Sequence, residues 1–199
     1  MHLFFSTPVW ISEIENFETI NKELTDFIYK EKNDDPAGKT KSNVKGWHSK
    51  QFDLQNESLK KFLESLSSKI RQATIDMGWD TDNQIVKITS MWSIINKKES
   101  FNERHHHGNS DLSAAYYVSA DHDSGDIVFY DPRNAFTFSH PENSHVNELN
   151  AQVKSITPKT GMLVLFPSYL DHSVQPSSSA EDRIVISFNI SLIPKRLLK

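Results

Sequence analysis

The stretch Arg183-Ile184-Val185-Ile186-Ser187-Phe188-Asn189-Ile190-Ser191 decides how this chain folds. Its even-numbered residues are all apolar, and its odd-numbered residues are Arg, Val, Ser, Asn and Ser. Alternation with period two marks a β-strand whose faces meet different surroundings. Two readings of the polar face are open at this point. It faces water on a half-exposed strand, or it lines a ligand cavity inside a barrel, with Arg183 near the mouth.

Working upstream, residues 86–95, 112–119, 125–130, 152–156 and 162–166 are also strand-like in composition. Gly, Asn, Asp, Ser and Pro fill the gaps between them. Short, closely spaced strands with turn residues between them predict a sandwich or barrel. The N-terminal third differs. Residues 4–14 read as a short edge strand broken by Pro8. Ile20, Leu24, Phe27 and Ile28 recur at helical spacing and predict a helix over 16–30. A second helix is expected over 56–77, through Leu59, Phe62, Leu63, Leu66, Ile70, Ala73 and Met77, with Gly78 as its stop. Residues 31–46 are polar and read as a loop. The fold expected is mainly β, with two N-terminal helices packed on one β core. A chain of 199 residues suits a single domain. Residues 1–82 form its helical support and 83–199 its core.

Composition narrows the function. With 22 Lys+Arg against 26 Asp+Glu the net charge is −4, which offers no footprint for a polyanion, so no nucleic-acid partner is expected. The absence of Cys removes disulfides, thiolate metal sites and thiol nucleophiles. A transition metal would therefore be held by His and carboxylates. No run approaches the ~18 apolar residues of a membrane span. The first residues lack a basic segment followed by a long apolar one, so the cytoplasm is the expected location. Monomer and homodimer both stay open.

Among nine histidines, His105-His106-His107 stands apart, because internal runs of three are uncommon. If the run is extended, His105 and His107 point one way and His106 the other. Two imidazoles on one face suit one metal ion. A distal partner is His172, which follows an apolar strand and a turn. Arg183 comes 11 residues after it. Non-heme Fe(II) oxygenases use a facial triad that leaves positions open for cosubstrate and O₂, and Arg suits bidentate recognition of a carboxylate. The simpler reading of both His segments is a polar turn. His2, His122, His140 and His145 sit in polar contexts and read as surface histidines, whereas His48 is ambiguous.

Five stretches in order extend this pattern. They are His105-His106-His107-Gly108-Asn109-Ser110-Asp111-Leu112-Ser113-Ala114-Ala115-Tyr116-Tyr117-Val118, Ser124-Gly125-Asp126-Ile127-Val128-Phe129-Tyr130-Asp131-Pro132-Arg133, Pro158-Lys159-Thr160-Gly161-Met162-Leu163-Val164-Leu165-Phe166-Pro167-Ser168, His172-Ser173-Val174-Gln175-Pro176 and Arg183-Ile184-Val185-Ile186-Ser187-Phe188-Asn189. With them the chain resembles the iron(II)- and 2-oxoglutarate-dependent oxygenases, and within them a family of small members from bacteria and their phages. Gly46-Trp47 and residues 4–10 also resemble that family's N-terminal part.

The resemblance implies a double-stranded β-helix, the jelly-roll also seen in cupins. It implies Fe(II) held by His105, His107 and His172. It also implies 2-oxoglutarate clamped by Arg183, with Tyr117 donating a hydrogen bond. In that class O₂ and 2-oxoglutarate are consumed together, succinate is formed, and a substrate C–H bond is oxidised, usually to an alcohol. The wider superfamily carries Asp or Glu two residues after the first His, where this chain has His107. A neutral imidazole there leaves the metal centre one charge more positive. A three-His site, a two-His site with water, and a carboxylate from elsewhere, with Asp111 nearest, all remain open. His107 is favoured, since the small family also tends to carry His there. Val185 stands where relatives often have Ser, which puts one cosubstrate hydrogen bond in doubt.

Asn96, Ser187, Asn189 and Arg133 are the expected substrate-pocket residues, although Asp131-Pro132-Arg133 is more simply a turn. Residues 31–46 and 134–150 are long enough to act as lids. The substrate, a small molecule or a peptide, is not named by the sequence. A cupin-type three-His dioxygenase leaves Arg183 without a role, and a non-catalytic jelly-roll binding module is the remaining alternative.

Overall fold

The computed structural model describes residues 2–133 and 141–198. Among the described residues, eleven strands and two α-helices are arranged in three layers. The strands are β1 (Trp10–Glu13), β2 (Asn43–Val44), β3 (Trp47–His48), β4 (Gln84–Asn96), β5 (Phe101–His105), β6 (Leu112–Ser119), β7 (Ile127–Tyr130), β8 (Val153–Ile156), β9 (Met162–Pro167), β10 (His172–Val174) and β11 (Arg183–Pro194). The helices are α1 (Phe17–Asp34) and α2 (Lys60–Asp76), the latter preceded by a 3₁₀ turn at Glu57–Leu59. A six-stranded sheet runs β1-β9-β6-β11-β4-β3 and a five-stranded sheet runs β2-β5-β10-β7-β8. The strand pairings in both are antiparallel. This is a mainly-β jelly-roll with helices on its outer face, as the sequence led us to expect.

The period-two pattern of β11 explains the layering. Ile184, Ile186, Phe188 and Ile190 point outward into an apolar cluster with Leu24, Ile28, Phe62 and Leu66 of the helices. Each such side chain, fully buried, contributes about 1.5–3 kcal/mol. Central strand β6 does the same: Leu112, Ala114, Tyr116 and Val118 face the helices, while Ala115 and Tyr117 face the interior between the sheets. Both of its faces are covered, so β6 reads as a nearly unbroken apolar run. Helix α1 is pinned to it by polar contacts as well. Asn21 Nδ2 donates to the Val118 carbonyl (2.8 Å), and the Tyr116 hydroxyl donates to Asn21 Oδ1 (2.6 Å).

The inner face of the large sheet is polar where the outer face is apolar. Arg183, Val185, Ser187 and Asn189 of β11 line a cavity of about 900 Å³ between the sheets, beside Ser90, Trp92, Ile94 and Asn96 of β4. The polar side of β11 therefore faces a cavity and not bulk water. Arg183 is only 1% exposed, so it lies deep in the wall and not near the mouth.

Helix α1 runs four residues beyond the expected end, because Glu31 to Asp34 continue its hydrogen bonding. Within the expected loop 31–46, residues Asn43 and Val44 pair with Asn102 and Phe101 as strand β2. That segment is built into the smaller sheet as a wall of the cavity. Of the second expected lid, 134–150, residues 134–140 lie outside the described residues, as does His140. Among the described residues, no helix is long and apolar enough to cross a membrane.

Candidate metal centre and cosubstrate cavity

Three strands of the smaller sheet bring the histidines together. In β10, His172 is directly opposite His105 of β5 and Phe129 of β7. His107 follows two residues after His105, and its backbone N–H donates to the Ser168 carbonyl (2.9 Å), which fixes the chain as it leaves β5. Ring centroids lie 4.3 Å apart for His105 and His172, and 5.2 Å apart for His107 with either. One nitrogen from each of the three lies within 4.8 Å of the others, a spacing that can hold a metal ion. His106 points away and its Nδ1 meets Asp171 Oδ1 (3.0 Å).

The rings are oriented for this purpose. His105 Nδ1 lies 2.7 Å from the Glu103 carbonyl and His172 Nδ1 lies 3.0 Å from the Leu170 carbonyl. A carbonyl only accepts, so each Nδ1 carries the proton and leaves the Nε2 lone pair free for a metal. Burial pushes the His172 imidazole down to about 3, with the neighbouring His105 adding to the effect. Burial and the charges of His105 and His106 push His107 down to about 4. Burial lowers His105 too. All three are therefore neutral near pH 7, the form that ligates metal.

Asp111 is not in this cluster. Its Oδ2 accepts from the Leu192 backbone N–H (2.7 Å), and its backbone pairs with Ile190 and Ser168. It ties the start of β6 to β11.

Deeper in the same cavity, Arg183 is buried and its Nη1 donates to the Ser124 and Gly125 carbonyls, the latter at 3.0 Å. A guanidinium has five N–H donors. Two are on Nη1, so Nε and Nη2 keep three that meet no acceptor among the described residues. No carboxylate pairs with Arg183 there either. Burial lowers its affinity for the proton. Tyr117 lies across from Val185 on β6, fully buried, and burial raises its phenol to about 12 even though the Arg183 charge opposes the shift. An orphaned fork of donors beside a neutral phenol suits a dianionic ligand with a carboxylate at this end.

The cradle depends on Gly125. It has φ +87, and a Cβ there would sit 2.3 Å from the Gln175 carbonyl oxygen and 3.2 Å from Arg183 Nη1. The sequence reading missed this cradle because it lies 58 residues from Arg183. Ser124-Gly125 just before a strand is the only local sign of it.

The expected pocket residues divide. Asn96 is the strand partner of Arg183 and donates from Nδ2 to Asn102 Oδ1 (3.1 Å). Asn102 in turn donates to Ser42 Oγ (3.2 Å), which lies 3.4 Å from His105 Nε2. Ser187 lines the cavity. Asn189 does too, its amide held by Ser113 (2.8 Å) and Ser90 (3.1 Å). Arg133 does not line it. Its guanidinium turns back on Asp131, at 2.6–3.0 Å for its best contacts, just past the end of β7. Missed by the sequence reading was an aromatic stack along the wall. His48 stacks on Trp92 (5.7 Å), and Trp92 packs against His107 (5.7 Å) with a buried, unpartnered indole N–H.

A jelly-roll carrying three clustered histidines and a buried free arginine defines the non-heme iron oxygenase class of site. Residues 90–189 match the model of the family described as "Putative 2OG-Fe(II) oxygenase", and the chain belongs to that family. It is thus a non-heme iron dioxygenase whose cofactors are Fe(II) and 2-oxoglutarate. No curated protein sequence matches it significantly. Solved structures resemble it in fold. A prolyl-4-hydroxylase from Pseudomonas putida superposes with TM-score 0.65 at 14% identity, over 94% of this chain and 93% of that one. A prolyl hydroxylase from Trichoplax adhaerens, in complex with a hypoxia inducible factor peptide fragment, gives 0.63 at 13%, over 96% and 86%. HygX from Streptomyces hygroscopicus, with nickel, 2-oxoglutarate and hygromycin B bound, gives 0.63 at 12%, over 95% and 84%.

Proposed function

We propose that this protein hydroxylates a C–H bond of a small-molecule or peptide substrate in the cytoplasm, converting 2-oxoglutarate and O₂ to succinate and CO₂. His105, His107 and His172 hold Fe(II), and Arg183 with Tyr117 holds the distal carboxylate of 2-oxoglutarate. Iron with bound 2-oxoglutarate supplies the oxidising power for C–H cleavage. The protein's own residues do the rest. The Glu103 and Leu170 carbonyls fix the ligand tautomers, the Ser124-Gly125 cradle aims the guanidinium, and Phe129, Phe166 and Val185 keep water from the interior.

One observation carries the reading. The buried Arg183 keeps three donors without partners in the same cavity that the three-His cluster lines. That arrangement gives the arginine a role that a cupin-type three-His dioxygenase would not. The similar structures hold different bound molecules, a peptide fragment in one and hygromycin B in another, so fold does not choose the substrate here.

The test is direct. Purified protein is loaded anaerobically with Fe(II) and 2-oxoglutarate, O₂ is admitted, and succinate is measured. Succinate above the protein-free control is expected. Metal bound at full occupancy with no succinate overturns the proposal.

A further inference from the structure

The cavity mouth has a charge unlike the rest of the molecule. Residues 39–50 carry four lysines and no carboxylate, in a chain of net charge −4. Lys39, Lys41 and Lys50 are exposed and line the mouth of the cavity. Lys50 is paired with Asp35 (3.1 Å), and Lys45, away from the cavity, is paired with Glu99 (2.8 Å). Lys39 and Lys41 have no ion-pair partner among the described residues. Arg104, also in the lining, is held by Asp171 (2.7 Å), and Glu103 is the one acidic lining residue among those described.

The backbone fixes this wall. The Lys39 N–H donates to the His48 carbonyl (2.8 Å), the Lys41 N–H to Asn43 Oδ1 (2.8 Å), and Glu103 N–H to the Ser42 carbonyl (2.8 Å). Lys39 and Lys41 thus lead directly into Ser42, whose hydroxyl reaches the His105 ring, and the stack of His48 on Trp92 lines the same cavity. The bound cosubstrate is provided for elsewhere, at Arg183. A mouth lined by one sign of charge concentrates ligands of the other sign.

We propose that the primary substrate bears a small anionic group, a carboxylate or phosphate monoester, that sits against Lys39 and Lys41 while its apolar part lies on Trp92. This rests on 2-oxoglutarate occupying the Arg183 end. The group is small, because two free lysines in an acidic protein give no continuous track for a nucleic-acid backbone.

The experiment uses the full chain loaded with Zn(II), which is redox-inert, and saturating 2-oxoglutarate. Calorimetric titration compares phenyl phosphate with phenol, and phenylacetate with phenylacetamide, so the phosphate and carboxylate sources are read separately against uncharged partners that keep the apolar part. At least one anion is expected to bind about tenfold or more tighter than its neutral counterpart, with affinity falling as salt rises. Lys39→Glu/Lys41→Glu abolishes that preference, and Lys39→Gln/Lys41→Gln reduces it. Far-UV circular dichroism checks the fold of each variant, both positions being exposed. Neither anion binding, equal binding of neutral partners, a preference that survives the double charge reversal, or tighter binding of a single-stranded oligonucleotide each overturns the proposal. Failure of 2-oxoglutarate itself to bind is read in the preliminary titration and strikes the proposed function instead.

Discussion

Replacing Arg183 with Met removes the charge and keeps most of the volume. In the folded protein Arg183 is 1% exposed and has no carboxylate partner among the described residues, so the substitution deletes an uncompensated buried cation. It also strands the Ser124 and Gly125 carbonyls, which accept from Nη1. An unmet buried acceptor costs about 1–3 kcal/mol, and removal of an isolated buried charge returns a similar amount. Stability of the metal-free protein should therefore change by no more than about 1–2 kcal/mol. Cosubstrate binding should change far more. Three free donors in a fork suit a bidentate carboxylate, and truncating one partner of a buried charged pair costs about 2–5 kcal/mol. At 1.4 kcal/mol per decade, the Kd for 2-oxoglutarate should rise about 30-fold to 3000-fold. Calorimetry of 2-oxoglutarate into the Zn(II)-loaded protein reads this, and Zn(II) affinity should hold. A Kd within threefold of the parent, with the fold intact, would refute the clamp.

Further outcomes follow from the same geometry. His107→Ala should weaken metal binding by far more than Asp111→Ala, as read by competition with a chelator, while Asp111→Ala should lower stability by about 1 kcal/mol through the lost Leu192 contact. A larger metal loss for Asp111→Ala would reassign the third ligand. Folded His172 and His107 hold protons only below about 3 and about 4, whereas unfolded histidine does so below about 6.5. The unfolded chain then binds more protons as pH falls, so metal-free stability is complete above about 6.5 and lost on acidification toward 4 and below, by at most about 1.4 kcal/mol per pH unit for each histidine. Urea melts in chelator at pH 7.5 and 5 check the sign, and a rise in stability at pH 5 contradicts it. Gly125→Ala should destabilise the fold by about 2 kcal/mol or more, since its positive φ and the Gln175 carbonyl leave no room for a Cβ. Unchanged thermal stability would show the cradle to be looser than described.

How much of this was legible in the sequence depends on locality. β11 showed its two faces because one packs on helices and the other on a cavity, and alternation records that difference directly. β6 showed itself as an apolar run because both faces are covered. The short strands of the smaller sheet were harder to see. β5 reads Phe-Asn-Glu-Arg-His and β10 reads His-Ser-Val, and neither has an apolar rhythm, because their inner faces carry ligands and polar groups instead of core. His105, His107 and His172 stood out as chemistry before they stood out as structure. The setting of Arg183 was not legible, since two carbonyls from a loop 58 and 59 residues away hold it. Residues 31–46 read as a polar loop long enough for a lid, but nothing local in the sequence says that Asn43 and Val44 pair into the smaller sheet as β2 or that Lys39 and Lys41 line the cavity.

The central claim is that His105, His107 and His172 hold iron beside a keto acid clamped by Arg183. Visible absorption of the anaerobic protein tests it most directly. Adding 2-oxoglutarate to the Fe(II) form should produce a weak charge-transfer band, His172→Ala should abolish it by losing the metal, and Arg183→Met should require much more 2-oxoglutarate to reach it. A band of parental intensity in His172→Ala, or no band in the parent with iron and 2-oxoglutarate both shown to be bound, would contradict the account.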